Sequence, residues 1–250
     1  AGGPLPPCVG LAARTAVSAG CDGVEGNAGQ FSLLRQFLSG LTNHRDDRWA
    51  DRPALAREVL ARVRDAVGPD AVVGLRLSCD ELAPWAGIVP DAGAELAAEL
   101  AGPVDYVTVV RGSIFSASAT RPDGHTPAGF NRELVGLVRT AVRAAHGDRV
   151  AVVAQGSGVD WDQAVSFLAD GDADAVEMTR ALLADAQLVD KARRGHPERI
   201  RPCILCNQAC QVRDARNPVV SCVVAPRTGH ELTEPDLEHA AHGQGALHEQ

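Results

Sequence analysis

The sequence lacks three patterns that would each indicate a particular class of protein. It has no run of about eighteen apolar residues, so no membrane-spanning helix is predicted. It has no excess of positive charge, since its formal net charge is −8, whereas domains that bind nucleic acid are basic. Its first residues, Ala-Gly-Gly-Pro-Leu-Pro-Pro, lack the charged and apolar regions of a signal peptide. Neither a membrane nor nucleic acid is therefore expected as a partner.

Cysteine is present, but in an odd number. The chain has seven cysteines among 250 residues, of which 45% are hydrophobic and 22% charged, a composition typical of a globular protein. Four cysteines lie close together near the C-terminus. The other three, Cys8, Cys21 and Cys79, are scattered, and we predict that they are buried as small hydrophobic residues. This use of cysteine predicts a reducing, cytoplasmic compartment.

The middle of the chain alternates short apolar runs with longer amphipathic ones. The short runs are rich in Val and Leu and do not alternate strictly with polar residues, which predicts strands of a parallel sheet buried on both faces. The predicted strands are 20–25, 72–78, 106–110, 150–155 and 173–178. The predicted helices are 52–67, 92–101, 131–145, 161–169 and 181–194. Such β–α units predict a doubly wound sheet or a (β/α)8 barrel, but a complete barrel needs eight strands in about 250 residues.

The four late cysteines form the most specific motif. Cys203, Cys206, Cys210 and Cys222 are separated by two, three and eleven residues. Three thiolates within one short run and a fourth from a following loop supply the ligands of an iron–sulfur cluster. A structural zinc site also takes four soft ligands, but usually from two separated C-x-x-C pairs. The spacing favours a cluster over zinc, and over unligated or disulfide-bonded cysteines.

Three segments together resemble a known family. They are Leu33–Asn43 (LLRQFLSGLTN), the run Arg-Ala-Leu-Leu-Ala-Asp from Arg180, and the cysteine motif that follows Ile200. The chain resembles the NADH:flavin oxidoreductases of the old yellow enzyme superfamily, in the iron–sulfur branch of 2,4-dienoyl-CoA reductase and trimethylamine dehydrogenase. The resemblance extends from about Leu11 to about Glu231. It implies a (β/α)8 barrel that holds FMN at the carboxyl ends of its strands, followed by a [4Fe–4S] cluster.

The resemblance also predicts the organisation of the chain. The fold class is α/β: a partial (β/α)8 TIM barrel of about strands 4–8, followed by a Cys-rich iron–sulfur segment. We expect a partial FMN-binding barrel at 1–195, a [4Fe–4S] segment at 196–231 and a polar linker or tail at 232–250. Because an open arc exposes its edges, we expect a partner chain or an oligomer to cover them.

The resemblance implies four cofactor-binding positions. Arg76 matches the arginine beside the flavin pyrimidine, although an ion pair with a barrel carboxylate is the alternative. Gly156 matches the glycine at the FMN phosphate, where an ordinary turn is equally compatible with the sequence. Thr179 and Arg180 match the pair that cradles the phosphate after the eighth strand.

The catalytic positions depart from the family pattern. Asn27 and Gln30 replace a pair that usually contains His, and Ser32 replaces the proton-donating Tyr. His125 is the nearest histidine to a further family position, but its Pro/Gly-rich surroundings predict an exposed loop. The catalytic residues therefore stay unassigned.

These features favour an FMN- and iron–sulfur-dependent oxidoreductase, or a fragment of one, acting on a small-molecule substrate. The alternatives are a cluster-bearing electron-transfer or binding module without flavin chemistry, and an inactive remnant. Neither the substrate nor the choice between NADH and NADPH follows from the sequence.

Overall fold

The structure is a computed structural model that describes residues 5–211, 216 and 219–233. The described residues belong to two compact units. One comprises Ala1–Gly158 with Asp162–Glu177, and the other comprises Val159–Trp161 with Met178–Gln250. The domain limits predicted from the sequence, at 195 and 231, stay predictions. The tail predicted at 232–250 lies outside the described residues from 234 onward.

The first unit contains a parallel sheet of five strands. The strands are β1 (Gly23–Ala28), β2 (Val72–Asp80), β3 (Tyr106–Arg111), β4 (Ala151–Ala154) and β5 (Ala175–Val176). Each strand pairs in parallel with the next along the chain, in the order β1-β2-β3-β4-β5. A doubly wound sheet would reverse its strand order at a switch point. The consecutive order is that of a barrel arc, and the predicted fold class is confirmed.

The described part of the chain has nine α-helices, of which the first precedes β1 and the others connect or follow the strands. They are α1 (Leu5–Ser18), α2 (Leu33–Leu38), α3 (Ala54–Val67), α4 (Pro90–Leu100), α5 (Ala117–Thr120), α6 (Arg132–His146), α7 (Trp161–Ala169), α8 (Thr179–Ala184) and α9 (Leu188–Arg193). No described helix is both long and apolar enough to cross a membrane.

The helix predicted at 181–194 is in fact two helices, α8 and α9. The buried carboxylate of Asp185 lies between them and accepts hydrogen bonds from the backbone N–H groups of Gln187 (3.0 Å) and Arg201 (2.7 Å). It also accepts one from Lys191 Nζ at 2.7 Å. These bonds satisfy backbone donors outside the helical pattern and explain the break after Ala184.

The two faces of the sheet differ in polarity, although β2 and β3 are largely buried on both faces, as predicted, whereas β1 is partly exposed. One face carries Val73, Leu75, Leu77, Val107 and Val109, which are fully buried in the main hydrophobic core. Helices α3, α4 and α6 contribute to that core. The alternate positions carry Arg76, Ser78, Tyr106 and Thr108, of which Arg76 and Tyr106 are half-buried and Ser78 and Thr108 are buried. Successive residues of a strand lie on opposite faces of the sheet. A count of Val and Leu along each strand does not distinguish the two faces, so it does not reveal the polar residues of one of them.

A buried ion pair joins α2 to the loop after β2. Arg35 and Glu81 are each 1% exposed, and Arg35 Nη1 donates to Glu81 Oε1. The same carboxylate accepts from the Ser39 hydroxyl and from the backbone N–H of Ile88 at 2.9 Å. Arg35, Ser39 and the backbone N–H of Ile88 therefore all donate to one buried carboxylate, whereas Arg35 Nε is buried with no hydrogen-bond partner among the described residues.

Two of the three scattered cysteines differ from the prediction. Cys79 is buried as expected, within β2. Cys8 and Cys21 are exposed. Cys8 lies in α1, a helix that was not predicted from the sequence. Cys21 lies in the turn before β1.

Candidate functional site

The four late cysteines line one pocket of the second unit. Cys203, Cys206, Cys210 and Cys222 surround it, and all four are half-buried. No three His, Cys, Asp or Glu side chains of the described residues meet closely enough to hold a single metal ion. The four cysteines share the lining of this one pocket.

The backbone of the cysteine segment curls around this pocket. Leu205 has φ 54° and Asn207 has φ 51°, a left-handed conformation that is uncommon for residues other than glycine. The backbone N–H of Leu205 donates to Cys203 Sγ at 3.4 Å. Two left-handed residues on either side of Cys206 bend the chain so that successive thiols face one pocket.

The fourth cysteine comes from a segment fastened at several points. The backbone N–H of Ser221 donates to the carbonyl of Ala209 at 3.0 Å, which joins the neighbours of Cys222 and Cys210. Gly229 has φ 84°, and a Cβ atom there would lie 2.1 Å from the carbonyl oxygen of Val220. Val220 lies two residues before Cys222, and only glycine at position 229 permits so close an approach to its carbonyl oxygen.

Arg180 is the charged residue of this pocket among the described residues that line it. Its Nη1 donates to Asn207 Oδ1 at 2.8 Å. Burial raises the pKa of the Cys210 thiol, whereas the Arg180 guanidinium opposes that rise and the neighbouring Cys203 and Cys206 add to it. The sequence predicted Arg180 and the cysteines separately, and the structure brings them together.

Arg76, predicted to lie beside a flavin or, as the alternative, to pair with a barrel carboxylate, forms ion pairs with two carboxylates of the first unit. Its Nε donates to Glu25 Oε1 at 2.7 Å and its Nη2 to Glu177 Oε2 at 2.6 Å. Burial lowers the pKa of Arg76, but the ion pairs with Glu177 and Glu25 outweigh burial and raise it above its ordinary value. A guanidinium has five N–H donors, so these two bonds leave donors for a ligand, although two carboxylates offset the cation.

Gly156 follows β4 and lies in a buried loop. It has φ 144°, and a Cβ atom there would lie 2.9 Å from the Asn131 side chain. Asn131 is 1% exposed, and its Nδ2 donates to the Gln155 carbonyl at 2.7 Å. Its Oδ1 is buried without a hydrogen-bond partner among the described residues. An unsatisfied buried acceptor is uncommon, and this one is suited to a hydroxyl of a ligand.

Thr179, the fourth predicted cofactor residue, is exposed at the first position of α8. It belongs to the second unit, as Arg180 does, whereas Arg76 and Gly156 belong to the first.

The residues at the three catalytic positions have local structural roles. Asn27 Oδ1 accepts from the backbone N–H of Gly29 at 2.8 Å, and Gln30 is half-buried in the following turn. The Ser32 hydroxyl accepts from the backbone N–H of Arg35 at 3.1 Å as the N-cap of α2. His125 is 95% exposed beside Asp123, in agreement with the loop interpretation.

Sequence reasoning missed the polar cluster on the open face of the sheet. Glu25, Arg76, Tyr106, Thr108 and Glu177 form it, with the Thr108 hydroxyl donating to Glu25 Oε2 at 3.1 Å. Burial raises the pKa of Tyr106, and Glu25 raises it further. The available signal was the spacing of two between Tyr106 and Thr108, which identifies residues that share a face.

Comparison with known proteins assigns the family. A family model described as NADH:flavin oxidoreductase / NADH oxidase matches residues 10–199. This chain belongs to the NADH:flavin oxidoreductase / NADH oxidase family, whose members are flavin-dependent oxidoreductases. The resemblance inferred from the motifs is confirmed.

Proteins whose names indicate different reactions are similar to this chain in sequence or in structure. A metal reductase of Desulforamulus reducens is 35% identical over 224 residues, which are 88% of this chain and 32% of that protein. An N,N-dimethylglycine/sarcosine dehydrogenase of Chromohalobacter salexigens is 33% identical over 230 residues, with 88% and 32% covered. A 2-naphthoyl-CoA reductase solved with 2-naphthoyl-CoA superposes with a TM-score of 0.83 at 28% identity, over 92% of this chain and 34% of that one. The chain thus spans about a third of the length of these relatives.

Proposed function

We propose that this chain contributes to an FMN- and iron–sulfur-dependent oxidoreductase and binds a [4Fe–4S] cluster through Cys203, Cys206, Cys210 and Cys222. The observation that carries the proposal is the pocket that these four half-buried thiols share. Four cysteine thiolates are the ligand set of a [4Fe–4S] cluster, so these four side chains would hold it. When bound, the cluster supplies single-electron transfer and FMN supplies hydride chemistry.

The residues of the chain would bind and insulate these groups. The N–H of Leu205 donates to Cys203 Sγ, and hydrogen bonds to sulfur are one means by which proteins tune iron–sulfur sites. Leu183, Val223 and Val224 line the pocket with apolar surface that limits water. Because ligating thiols have to stay reduced, a reducing, cytoplasmic compartment is part of this proposal.

For FMN, we propose Arg76, Gly156, Thr179 and Arg180 as binding residues. The family membership and the buried, unsatisfied Asn131 Oδ1 beside Gly156 support this assignment. The carboxylates of Glu25 and Glu177 offset the charge of Arg76. A negative charge on a reduced flavin would therefore receive less stabilisation than from an unpaired arginine.

Small-molecule oxidation or reduction is the proposed reaction class. The relatives act, by their names, on metals, on methylated amines and on a CoA thioester, so the substrate is left unassigned. Strands β1 and β5 are the edges of the described sheet. We propose that further polypeptide, from a partner chain or another copy, covers them, because an unpaired strand edge invites association.

The second candidate is a cluster-bearing electron-transfer module without flavin chemistry. The Ser32 hydroxyl is engaged as a helix cap and Arg76 by two carboxylates, both of which favour this alternative. Acid release of the bound chromophore separates the two: FMN in solution supports the oxidoreductase, whereas a brown protein without flavin supports the module.

Substitution of Cys206 with serine tests the cluster. Anaerobically reconstituted wild-type chain is expected to be brown and to contain iron and acid-labile sulfide, whereas zinc would leave it colourless. The Cys206→Ser variant is expected to lose the brown colour and most of the iron, because one of four ligands is gone. The Cys21→Ser variant, which alters an exposed cysteine outside the pocket, is the control. Equal iron in wild type and Cys206→Ser would remove Cys206 from the ligand set.

Substitution of Gly229 with alanine tests how the fourth thiol is held. The added Cβ would lie 2.1 Å from the Val220 carbonyl, so the segment before Cys222 has to shift. We expect the variant to lose iron to a chelator about tenfold faster than wild type, as for substitutions that misorient a ligand. Gly195→Ala is the matched control, because Gly195 has φ 78° but nothing within 4 Å of an added Cβ. Equal rates for the two variants would mean that the approach to Val220 is unimportant.

A further inference from the structure

We propose that Arg180 raises the reduction potential of the cluster and is the positioning cation of the electron-transfer site. This inference rests on the proposed function, since it requires that the four cysteines bind a cluster. It assigns to Arg180 a role that is separate from the phosphate contact predicted from the family resemblance.

The location of Arg180 is the first argument. Arg180 lies in the first turn of α8 and lines the same pocket as Cys203, Cys206, Cys210 and Cys222. Among the described residues that line this pocket, Arg180 is the one that carries a cationic side chain. A cation that lines the same pocket as the four thiolates favours additional negative charge on a group bound by them.

The second argument is that Arg180 is held in place. Its Nη1 donates to Asn207 Oδ1 at 2.8 Å, and Asn207 directly follows the ligand Cys206. Asn207 has φ 51°, a conformation that Asn adopts more readily than most residues. The hydrogen bond thus ties the guanidinium to the cysteine segment itself, so the cation and the ligands keep a fixed separation.

The third argument concerns charge and surroundings. Reduction adds one electron, supplied in a titration by dithionite, and so adds one negative charge to the cluster and its thiolates. A fixed positive charge stabilises the reduced form more than the oxidised form, which raises the potential. Leu183, Val223 and Val224 make the pocket wall apolar, and a low local dielectric strengthens the interaction.

The test is a redox titration of reconstituted chain, followed by the electron paramagnetic resonance signal of the reduced cluster. We expect Arg180→Gln to lower the ratio of reduced to oxidised cluster at a given potential about tenfold, which corresponds to about 59 mV for one electron. Arg180→Lys retains the charge, so its potential is expected to stay closer to that of wild type. Arg199→Gln removes the same charge from a side chain that is 69% exposed and does not line the pocket, and it is expected to leave the potential unchanged.

Each outcome decides one question. Equal potentials for wild type and Arg180→Gln overturn the inference, as does an equal fall in Arg199→Gln, which would reveal an effect of net charge alone. If Arg180→Gln takes up less iron than wild type, Asn207→Gly decides instead, because it keeps Arg180 and tolerates the left-handed backbone. A fall in its potential supports the inference and an unchanged potential overturns it. Absence of iron from the wild-type chain would instead refute the proposed function.

Discussion

Replacement of Glu81 by glutamine is expected to lower the free energy of unfolding by about 3–5 kcal/mol. Arg35 is 1% exposed and would keep its charge without a carboxylate to balance it. The amide nitrogen also replaces either Oε1, which accepts from Arg35, or Oε2, which accepts from both Ser39 and the N–H of Ile88. Urea unfolding followed by circular dichroism measures the change.

A surface ion pair provides the matched control. Glu99 pairs with Arg57, but its side chain is 39% exposed. Glu99→Gln is therefore expected to change the free energy of unfolding by less than about 1 kcal/mol, because solvent screens exposed pairs. A cost below about 1 kcal/mol for Glu81→Gln as well would mean that Arg35 finds another partner or reaches water.

Two glycine-to-alanine substitutions in helices are expected to have opposite effects. At Gly93 in α4, an added Cβ would lie 2.1 Å from the carbonyl oxygen and 2.6 Å from the Cα of Cys79. Both are backbone atoms of β2, so the helix or the strand has to move. We expect Gly93→Ala to destabilise the chain by about 1–3 kcal/mol or more. At Gly136 in α6, the nearest atom to an added Cβ is 3.6 Å away, an ordinary contact.

Gly136→Ala is expected to raise the free energy of unfolding by about 0.5–1 kcal/mol, because glycine in a helix interior has more backbone freedom to lose on folding. Urea unfolding of the two variants and wild type, under one set of conditions, gives both values. Stabilisation by Gly93→Ala would mean that α4 and β2 do not lie as close together as the separations of 2.1 Å and 2.6 Å imply.

Most of the sheet was predictable because its apolar residues are local signals. The predicted strands 72–78 and 106–110 agree with β2 and β3 to within two residues at their ends. The first strand was predicted too early, at 20–25. Gly20 has φ 98° and belongs to the turn that ends α1, so β1 begins only at Gly23. The helix α1 was missed because Pro6 and Pro7 suggest a loop, although a first helical turn tolerates proline.

The candidate site was predictable only in its local part. Three of the four cysteines lie within eight residues of the sequence, and their spacing alone indicated a shared ligand. The partners of Arg76 were not predictable, because Glu177 is 101 residues away and follows β5, a strand that does not pair with β2. The bond between Arg180 and Asn207 joins residues 27 apart and depends on a left-handed backbone at Asn207.

The consecutive order of the strands has a consequence for how the sheet is made. Each of β2 to β5 pairs with a strand that precedes it directly in the chain. During synthesis, the strand with which each of β2 to β5 pairs is therefore translated before that strand itself. The sheet can grow by one β–α unit at a time, and each addition pairs strands that are neighbours in the sequence.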